Sequence, residues 1–143
     1  MSATDLYNNA MRDRQGGKME LALQEFSDYL RWYGNTELAP NAQFYIASIH
    51  AAQGDYENAV KEFDMVLEKY QDNNKTPDAL YGKGLALVKM GRRTDGAQEF
   101  QQLLKRFPSH TLAPQACTQM TNLGYRCTAA GGPPASSSKR SRK

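Results

Sequence analysis

The sequence predicts an all-α fold, an α-solenoid of three helix–turn–helix units followed by a C-terminal capping helix. The prediction depends on an internal repeat of 37 residues, on amphipathic spacing within each repeat, and on the lack of period-two alternation long enough for a strand. Agreement between repeats at many positions indicates that one structural unit recurs along the chain. Three sets of identical residues recur at equivalent positions of the repeat: Gly17, Gly54 and Gly91; Phe26, Phe63 and Phe100; and Leu30, Leu67 and Leu104.

Each repeat contains two helices, and a proline in the linker marks where the first one starts. Proline suits the first helical position, where an N–H is not needed and the fixed φ is already helical. In the second repeat we expect a first helix from about Pro40 to Gln53, ended by Gly54, and a second from about Tyr56 to Tyr70. Apolar residues of that second helix recur at spacings of three and four. Small residues allow the paired helices to approach closely, and these are Ala22, Ala59 and Gly96.

These elements divide the chain into a repeat domain and a tail. The repeat domain covers 1–127, with units at about 4–39, 40–76 and 77–113 and a capping helix at 114–126. Residues 128–143 are rich in Gly, Pro and Ser, have no apolar periodicity, and are predicted to form a disordered basic tail. The tail is interpreted as a solubilising terminus, with binding to anionic lipid or polyanions, or a nuclear address in a eukaryote, as the alternatives.

The charge of the chain is concentrated in that tail. The 143 residues include 18 Lys and Arg against 15 Asp and Glu, for a formal charge of +3. Four of the basic residues lie within the last five positions, so residues 1–138 carry 14 basic and 15 acidic side chains. A nearly neutral body argues against a nucleic-acid surface on the folded part.

No catalytic, cofactor-binding or metal-binding constellation is visible, so the chain is predicted not to be an enzyme. No apolar run is long enough to span a membrane, and the N-terminal residues lack the layout of a secretory signal. His50 and His110 occupy non-equivalent places in the repeat, and His50 is interpreted as a packed helix residue. Cys117 and Cys127 are too far apart to pair on one continuous helix, so two unpaired thiols are expected. Pairing is possible only if the helix breaks near Gly124.

The repeat resembles the tetratricopeptide repeat, through Ala42, Ala47, the run from Gly54 to Tyr56, Ala59 and Phe63. Within that superfamily the proline-containing linkers look most like the C-terminal domain of the Tol–Pal system cell division coordinator (CpoB/YbgF) family. The resemblance implies a periplasmic scaffold that coordinates outer-membrane constriction with peptidoglycan synthesis, with a TolA-like partner. Members of that family begin with a signal peptide and a coiled coil, so the chain is expected to be an excised domain or a shortened relative. The alternative is an outer-membrane protein assembly lipoprotein of the BamD type, which has similar repeats.

A partner-binding groove is predicted along the first helices. Residues spaced by three or four on each first helix share a face, and equivalent residues recur 37 positions later. The aromatic members either anchor a partner or pack the first helices against each other. Adaptors that clamp the C-terminal carboxylate of heat-shock chaperones have Lys and Asn where this chain has Tyr7 and Met11, which argues against that kind of clamp. The predicted groove residues are Tyr7, Met11, Asn41, Phe44, Ser48, Asp78, Tyr81 and Leu85.

Overall fold

The computed structural model describes residues 1–70 and 72–127, and within these ranges it contains seven α-helices and no strand. The predicted all-α class is therefore confirmed. None of the helices in the described ranges combines the length and apolar character needed to cross a bilayer. The predicted basic tail, residues 128–143, lies outside the described residues. In chain order the helices are α1 (Ala3–Gln15), α2 (Met19–Tyr33), α3 (Ala39–Ala52), α4 (Tyr56–Glu68), α5 (Thr76–Lys89), α6 (Arg93–Arg106) and α7 (Ala113–Asn122).

The chain divides into two compact units. The first unit comprises Met1–Lys75 and contains α1 to α4, and the second begins at Thr76 and contains α5 to α7. Within each unit, every helix packs against the next one in the chain. Proline occupies one of the first two positions of α3 and of α7, as predicted from the linkers.

One type of glycine turn joins the two helices of each pair. Gly17, Gly54 and Gly91 all have positive φ, between 80° and 85°, which a side chain with a Cβ rarely adopts. The residue after each glycine donates its N–H to a carbonyl five residues earlier, at 2.8 to 2.9 Å, which closes the helix end. The same sequence signal therefore produces the same local backbone three times.

The core of the first unit is built from small residues between helices and from packed aromatic rings. Ala22 and Ala59 are completely buried, so α2 and α4 present backbone rather than bulky side chains to their neighbours. Phe26 is also completely buried, with its ring centroid 6.0 Å from that of Tyr7 and 5.6 Å from that of Tyr45. These edge-to-face and stacked contacts connect α1, α2 and α3.

A pair of carboxyl groups lies between α1 and α2. Burial, followed by a hydrogen bond and repulsion from Asp13, raises the pKa of Glu25 to about 7. Asp28 raises this pKa further, whereas Arg12 lowers it. The Glu25 Oε1 atom is buried without a hydrogen-bond partner in the described residues, which fits a carboxyl group that keeps its proton below about pH 7 in the folded protein.

We expect the first unit to lose stability as the pH rises from about 5 to about 8. A carboxyl group whose pKa is higher in the folded state than in the unfolded state binds its proton more tightly when the protein is folded. The stability that this proton binding adds is therefore present at low pH and is lost as the pH rises through about 7, the pKa of folded Glu25. Melting midpoints measured across this range should fall less steeply for Glu25→Gln than for the wild type. Glu37→Gln, at an exposed position, is the control. If the melting midpoints of the wild type and Glu25→Gln fell in parallel with pH, Glu25 would not contribute to the pH dependence of stability.

The second unit depends on a close approach of α5 and α6. A Cβ atom added at Gly96 would lie 2.8 Å from the carbonyl oxygen of Gly84 and 2.7 Å from a methyl group of Val88. A Cβ added at Gly84 would lie 2.6 Å from the ring of Phe100. Both positions are buried, and Phe100 fills the space beside them with no exposed surface. The two glycines thus allow the helices to pack at a distance that larger residues would prevent.

The C-terminal end of the second unit corrects two expectations. The helix α7 ends at Asn122 rather than near residue 126, because Leu123 caps it and Gly124 takes a φ of 96°. Tyr125 then donates its N–H to the carbonyl of Met120 at 2.9 Å, and the chain folds back along α7. Cys117 and Cys127 come within 5.4 Å between their Cα atoms and form a disulfide, so the expectation of two unpaired thiols was wrong.

Replacing both cysteines by serine is expected to destabilise the second unit by ~2–3 kcal/mol. The disulfide closes a loop of about ten residues, and closing it lowers the conformational entropy of the unfolded chain, which stabilises the folded state. Denaturant titration of the wild type and the double variant measures this difference. A reductant should shift the wild-type midpoint towards that of the variant and leave the variant itself unchanged. An unchanged wild-type midpoint under reduction would contradict the stabilising role of the disulfide.

Candidate protein-binding surface

Tyr7, the first residue of the predicted groove, lies in the core of the first unit. Only 8% of its surface is exposed, and its ring packs edge-on against Phe26 and Tyr29 at 6.0 and 5.7 Å between centroids. Burial raises the pKa of the Tyr7 hydroxyl, while a hydrogen bond with the side chain of Asn41 opposes that shift. Tyr7 therefore joins α1 to the core and also contacts a predicted groove residue on α3.

The α3 residues of the predicted groove are half-buried. Phe44 packs against Phe63 of α4, with 5.7 Å between ring centroids, and against its neighbour Tyr45 at 5.4 Å. The side-chain oxygen of Asn41 is buried and has no hydrogen-bond partner among the described residues. Ser48 on α3 and Met11 on α1 are also half-buried. This face of the first unit therefore combines packed aromatic rings with an unused hydrogen-bond acceptor.

Two cations lie over the aromatic rings of this face. The guanidinium carbon of Arg14 is 4.5 Å from the centroid of the Tyr45 ring. The Lys75 ammonium is 5.3 Å from the same centroid and 4.9 Å from that of Phe44. Contacts of this kind between a cation and an aromatic face are attractive, more so when water is excluded. We call Arg14, Asn41, Phe44, Tyr45 and Lys75 the cation–aromatic cluster.

Sequence reasoning did not include three members of this cluster among the candidate site residues. Arg14 follows Met11 by three residues and shares its helical face, so the spacing alone was sufficient to find it. Tyr45 is adjacent to the predicted Phe44 but points from α3 towards Phe26 and Arg14. Lys75 precedes α5 in the linker, where helical periodicity gives no indication of which side chains it meets.

The predicted groove residues of the second unit all lie on α5. Asp78, Tyr81 and Leu85 are half-buried. The Tyr81 ring packs against Phe100 of α6, with 5.6 Å between centroids, and its hydroxyl accepts a 3.4 Å hydrogen bond from the Gln119 side chain on α7. Tyr81 thus contacts both other helices of its unit while part of its surface stays accessible.

A polar groove lies on the surface of the first unit. It has a volume of about 420 Å³ and is lined by residues of α2, α3 and α4. On its wall, the buried side chain of Gln43 donates a hydrogen bond to Glu62. His50 also lines it, with Nδ1 lying 3.7 Å from a carboxylate oxygen of Asp55. Across the part of the chain that the structure describes, no three His, Cys, Asp or Glu side chains are grouped to hold a metal ion.

A protein-family model matches most of the length of the chain. The YfiO family model, described as an outer membrane lipoprotein, matches residues 1–128. The chain belongs to this family. The match supports the predicted tetratricopeptide-type domain, but it does not specifically support the cell division coordinator family named from the linkers, and it favours the assembly-lipoprotein alternative. No curated protein matches the chain.

Proposed function

We propose that this protein is a non-catalytic interaction scaffold that acts in the assembly of outer-membrane proteins. The observation that carries the proposal is the match of residues 1–128 to the outer membrane lipoprotein family. Because this family favours the BamD-type alternative, the proposal replaces the role in cell division that the linkers suggested. The polar groove on the first unit has hydrogen-bonding side chains on its wall, among them Gln43 and Glu62.

The architecture we propose is a tetratricopeptide solenoid in which one helix pair recurs every 37 residues. The recurring glycine turns at Gly17, Gly54 and Gly91 support it, because each closes the first helix of a pair with the same hydrogen bond. The start of α3 at Ala39, of α5 at Thr76 and of α7 at Ala113 supports the same spacing. A solenoid of this kind offers binding surfaces along its first helices.

The location we propose is the cell envelope, on the periplasmic side of the outer membrane. Family membership is the main support. The disulfide between Cys117 and Cys127 provides independent support, because disulfides persist in oxidising compartments such as the periplasm and are rare in the cytosol.

The surface we propose for partners is the exposed part of the first-helix faces. In the first unit this part comprises the accessible portions of four half-buried residues of the cation–aromatic cluster, Arg14, Asn41, Phe44 and Tyr45. In the second unit it comprises the accessible parts of Asp78, Tyr81 and Leu85. Aromatic and arginine side chains dominate binding energy at protein interfaces, and these faces supply both.

Depletion of the protein in its native bacterium tests the proposed function. If the protein is an assembly scaffold, folded outer-membrane β-barrel proteins should decline several-fold before any change in cell shape. A plasmid copy with Phe44→Ala should restore them incompletely, whereas Lys61→Ala, at an exposed position on α4, should restore them fully. Chained or unconstricted cells with normal amounts of β-barrel proteins would instead support the cell-division alternative and overturn the proposal.

A further inference from the structure

The single tryptophan of the chain lies on the surface of the first unit. Trp32, in the last turn of α2, is 69% exposed. Within the described residues its ring makes no hydrogen bond and no contact with another aromatic ring or a cation. Tryptophan is highly buried on average, because its ring carries a large apolar surface. Folding of the first unit therefore does not by itself account for a tryptophan at this position.

Two positive charges lie beside Trp32. A surface groove of about 420 Å³ is lined by Trp32 together with Arg31 and Lys69, and its described lining includes no acidic side chain. Arg31 belongs to the last turn of α2, and Lys69 caps the C-terminal end of α4. Both are exposed, and neither forms an ion pair with a carboxylate in the described part of the chain. The exposed ring is therefore accompanied by two cations that are accessible to an anion from outside the unit.

The hydrogen-bonding groups around this groove are largely used inside the unit. The Thr36 hydroxyl, in the loop after α2, shares a 2.6 Å hydrogen bond with the Tyr29 hydroxyl and donates to the Tyr33 carbonyl at 2.8 Å. The Tyr33 hydroxyl donates to the backbone carbonyl of Met1 at 3.4 Å, which places the start of α1 at the same end of the unit. Met1 is itself 80% exposed. This end of the unit therefore offers apolar surface and positive charge, with few hydrogen-bonding groups held in fixed directions.

We propose that Arg31, Trp32 and Lys69, here called the Trp32 surface, contact a bilayer that contains anionic phospholipids. This inference rests on the proposed function, since it assumes that the protein works at the outer membrane. The Trp32 ring lies at the level of the lipid headgroups, where tryptophan is enriched because the ring is apolar while its N–H stays hydrated. The Arg31 and Lys69 cations pair with lipid phosphates, which attract basic residues to an anionic bilayer.

An acidic segment of a protein is the main rival partner, and the chemistry of the Trp32 surface favours a bilayer. Tryptophans that dominate protein interfaces lie in well-packed pockets ringed by residues that exclude water, whereas most of Trp32 is open to solvent. A bound segment also needs directed hydrogen bonds to its backbone, but the Thr36 hydroxyl is already used inside the unit. A bilayer requires neither, since binding to it depends on buried apolar area and on attraction between cations and anionic lipids.

Tryptophan fluorescence of the full chain with phospholipid vesicles tests this inference. Because Trp32 is the only tryptophan, the emission reports on this surface alone. With vesicles of phosphatidylethanolamine and phosphatidylglycerol, we expect the emission to move to shorter wavelengths and to be quenched by bromine atoms placed near the top of the acyl chains. Vesicles of phosphatidylcholine, which carry no net charge, should bind at least about tenfold more weakly. Soluble glycerol phosphate, which supplies the anion without a bilayer, should leave the emission unchanged.

Variants locate the contact, with binding measured by co-sedimentation with the anionic vesicles. A basic residue near an anionic surface strengthens binding about fivefold, so Arg31→Gln combined with Lys69→Gln should weaken it about 25-fold. Lys18→Gln combined with Lys61→Gln removes the same charge from exposed positions nearer the starts of α2 and α4, and screening by salt should limit its effect to about twofold. Trp32→Ala should weaken binding at least about tenfold, and Trp32→Phe should weaken it less. Circular dichroism first confirms that each variant is folded.

Several outcomes would overturn the inference. Co-sedimentation without a shift of the Trp32 emission would place the membrane contact elsewhere in the chain. A shift produced by glycerol phosphate would identify a site for small anions, and equal binding of the two double variants would remove Arg31 and Lys69 from the contact. If Trp32→Ala kept its vesicle binding but failed to restore β-barrel proteins in depleted cells, Trp32 would contact a protein instead.

The depletion experiment separates this inference from the proposed function, because it does not depend on vesicles. A loss of β-barrel proteins on depletion, together with a wild-type chain that does not bind vesicles, would refute only the membrane contact. Vesicle binding by the wild type, together with normal amounts of β-barrel proteins on depletion, would refute only the proposed function.

Discussion

Replacing Phe100 by alanine is expected to lower the free energy of unfolding of the second unit by about 3–5 kcal/mol, the range for removing a fully buried phenylalanine ring. Phe100 has no exposed surface, and its ring packs against Tyr81 and against the backbone at Gly84. Because Gly84 has no side chain that could move into the space, we expect the cavity to persist. A persistent cavity places the cost towards the upper end of the range.

Denaturant titration measures the loss, and hydrogen exchange of the amides in α5, α6 and α7 locates it in the second unit. Gln102→Ala is the matched control, since it truncates an exposed side chain on the same helix and should change stability by less than about 0.5 kcal/mol. If Phe100→Ala behaved like this control, the ring would not contribute to the core.

The helices were predictable from the sequence wherever a local signal sets their ends. Proline and glycine fix the start and end of α3, and the observed range Ala39–Ala52 differs from the expected one by a single residue at each end. The end of α7 was not predictable in this way. It depends on the reversal at Gly124 and on the pairing of Cys117 with Cys127, a contact that the helical periodicity of α7 does not contain.

The candidate site was predictable only as a helical face. Spacing places Tyr7, Phe44 and Tyr81 on equivalent faces of first helices, but it does not determine how deep each ring lies. Tyr7 is buried because Phe26 and Tyr29 of α2 reach its ring, and that contact depends on how two helices meet. For the same reason, the position of Lys75 over Phe44 could not be inferred from a linker sequence.

The family could not be separated from its neighbours by the repeat pattern alone. Residues such as Ala59 and Phe63 are buried between helices. Every tetratricopeptide unit needs this packing, so these residues do not distinguish one family from another. The prolines of the linkers likewise mark the starts of helices and do not distinguish the families. The match to the outer membrane lipoprotein family over residues 1–128 favours the assembly-lipoprotein alternative.

The substitution Gly96→Val is expected to destabilise the second unit by about 3 kcal/mol, because it introduces three carbon atoms where even one does not fit. The first of them would lie 2.8 Å from the backbone carbonyl oxygen of Gly84. A flexible side chain could rotate away from such a contact, but a backbone atom moves only if α5 and α6 separate. Separation would also loosen Phe100, which is buried between these helices.

Valine itself suits a helix slightly better than glycine does, by a few tenths of a kcal/mol, so a net loss has to come from the clash between α5 and α6. Gln98→Val, an exposed position two residues further along the same helix, introduces the same side chain without the contact and should change stability by less than about 0.5 kcal/mol. Denaturation midpoints of both variants provide the comparison. Equal stability of the two would mean that α5 and α6 tolerate a wider separation, and that Gly96 is not required for their packing.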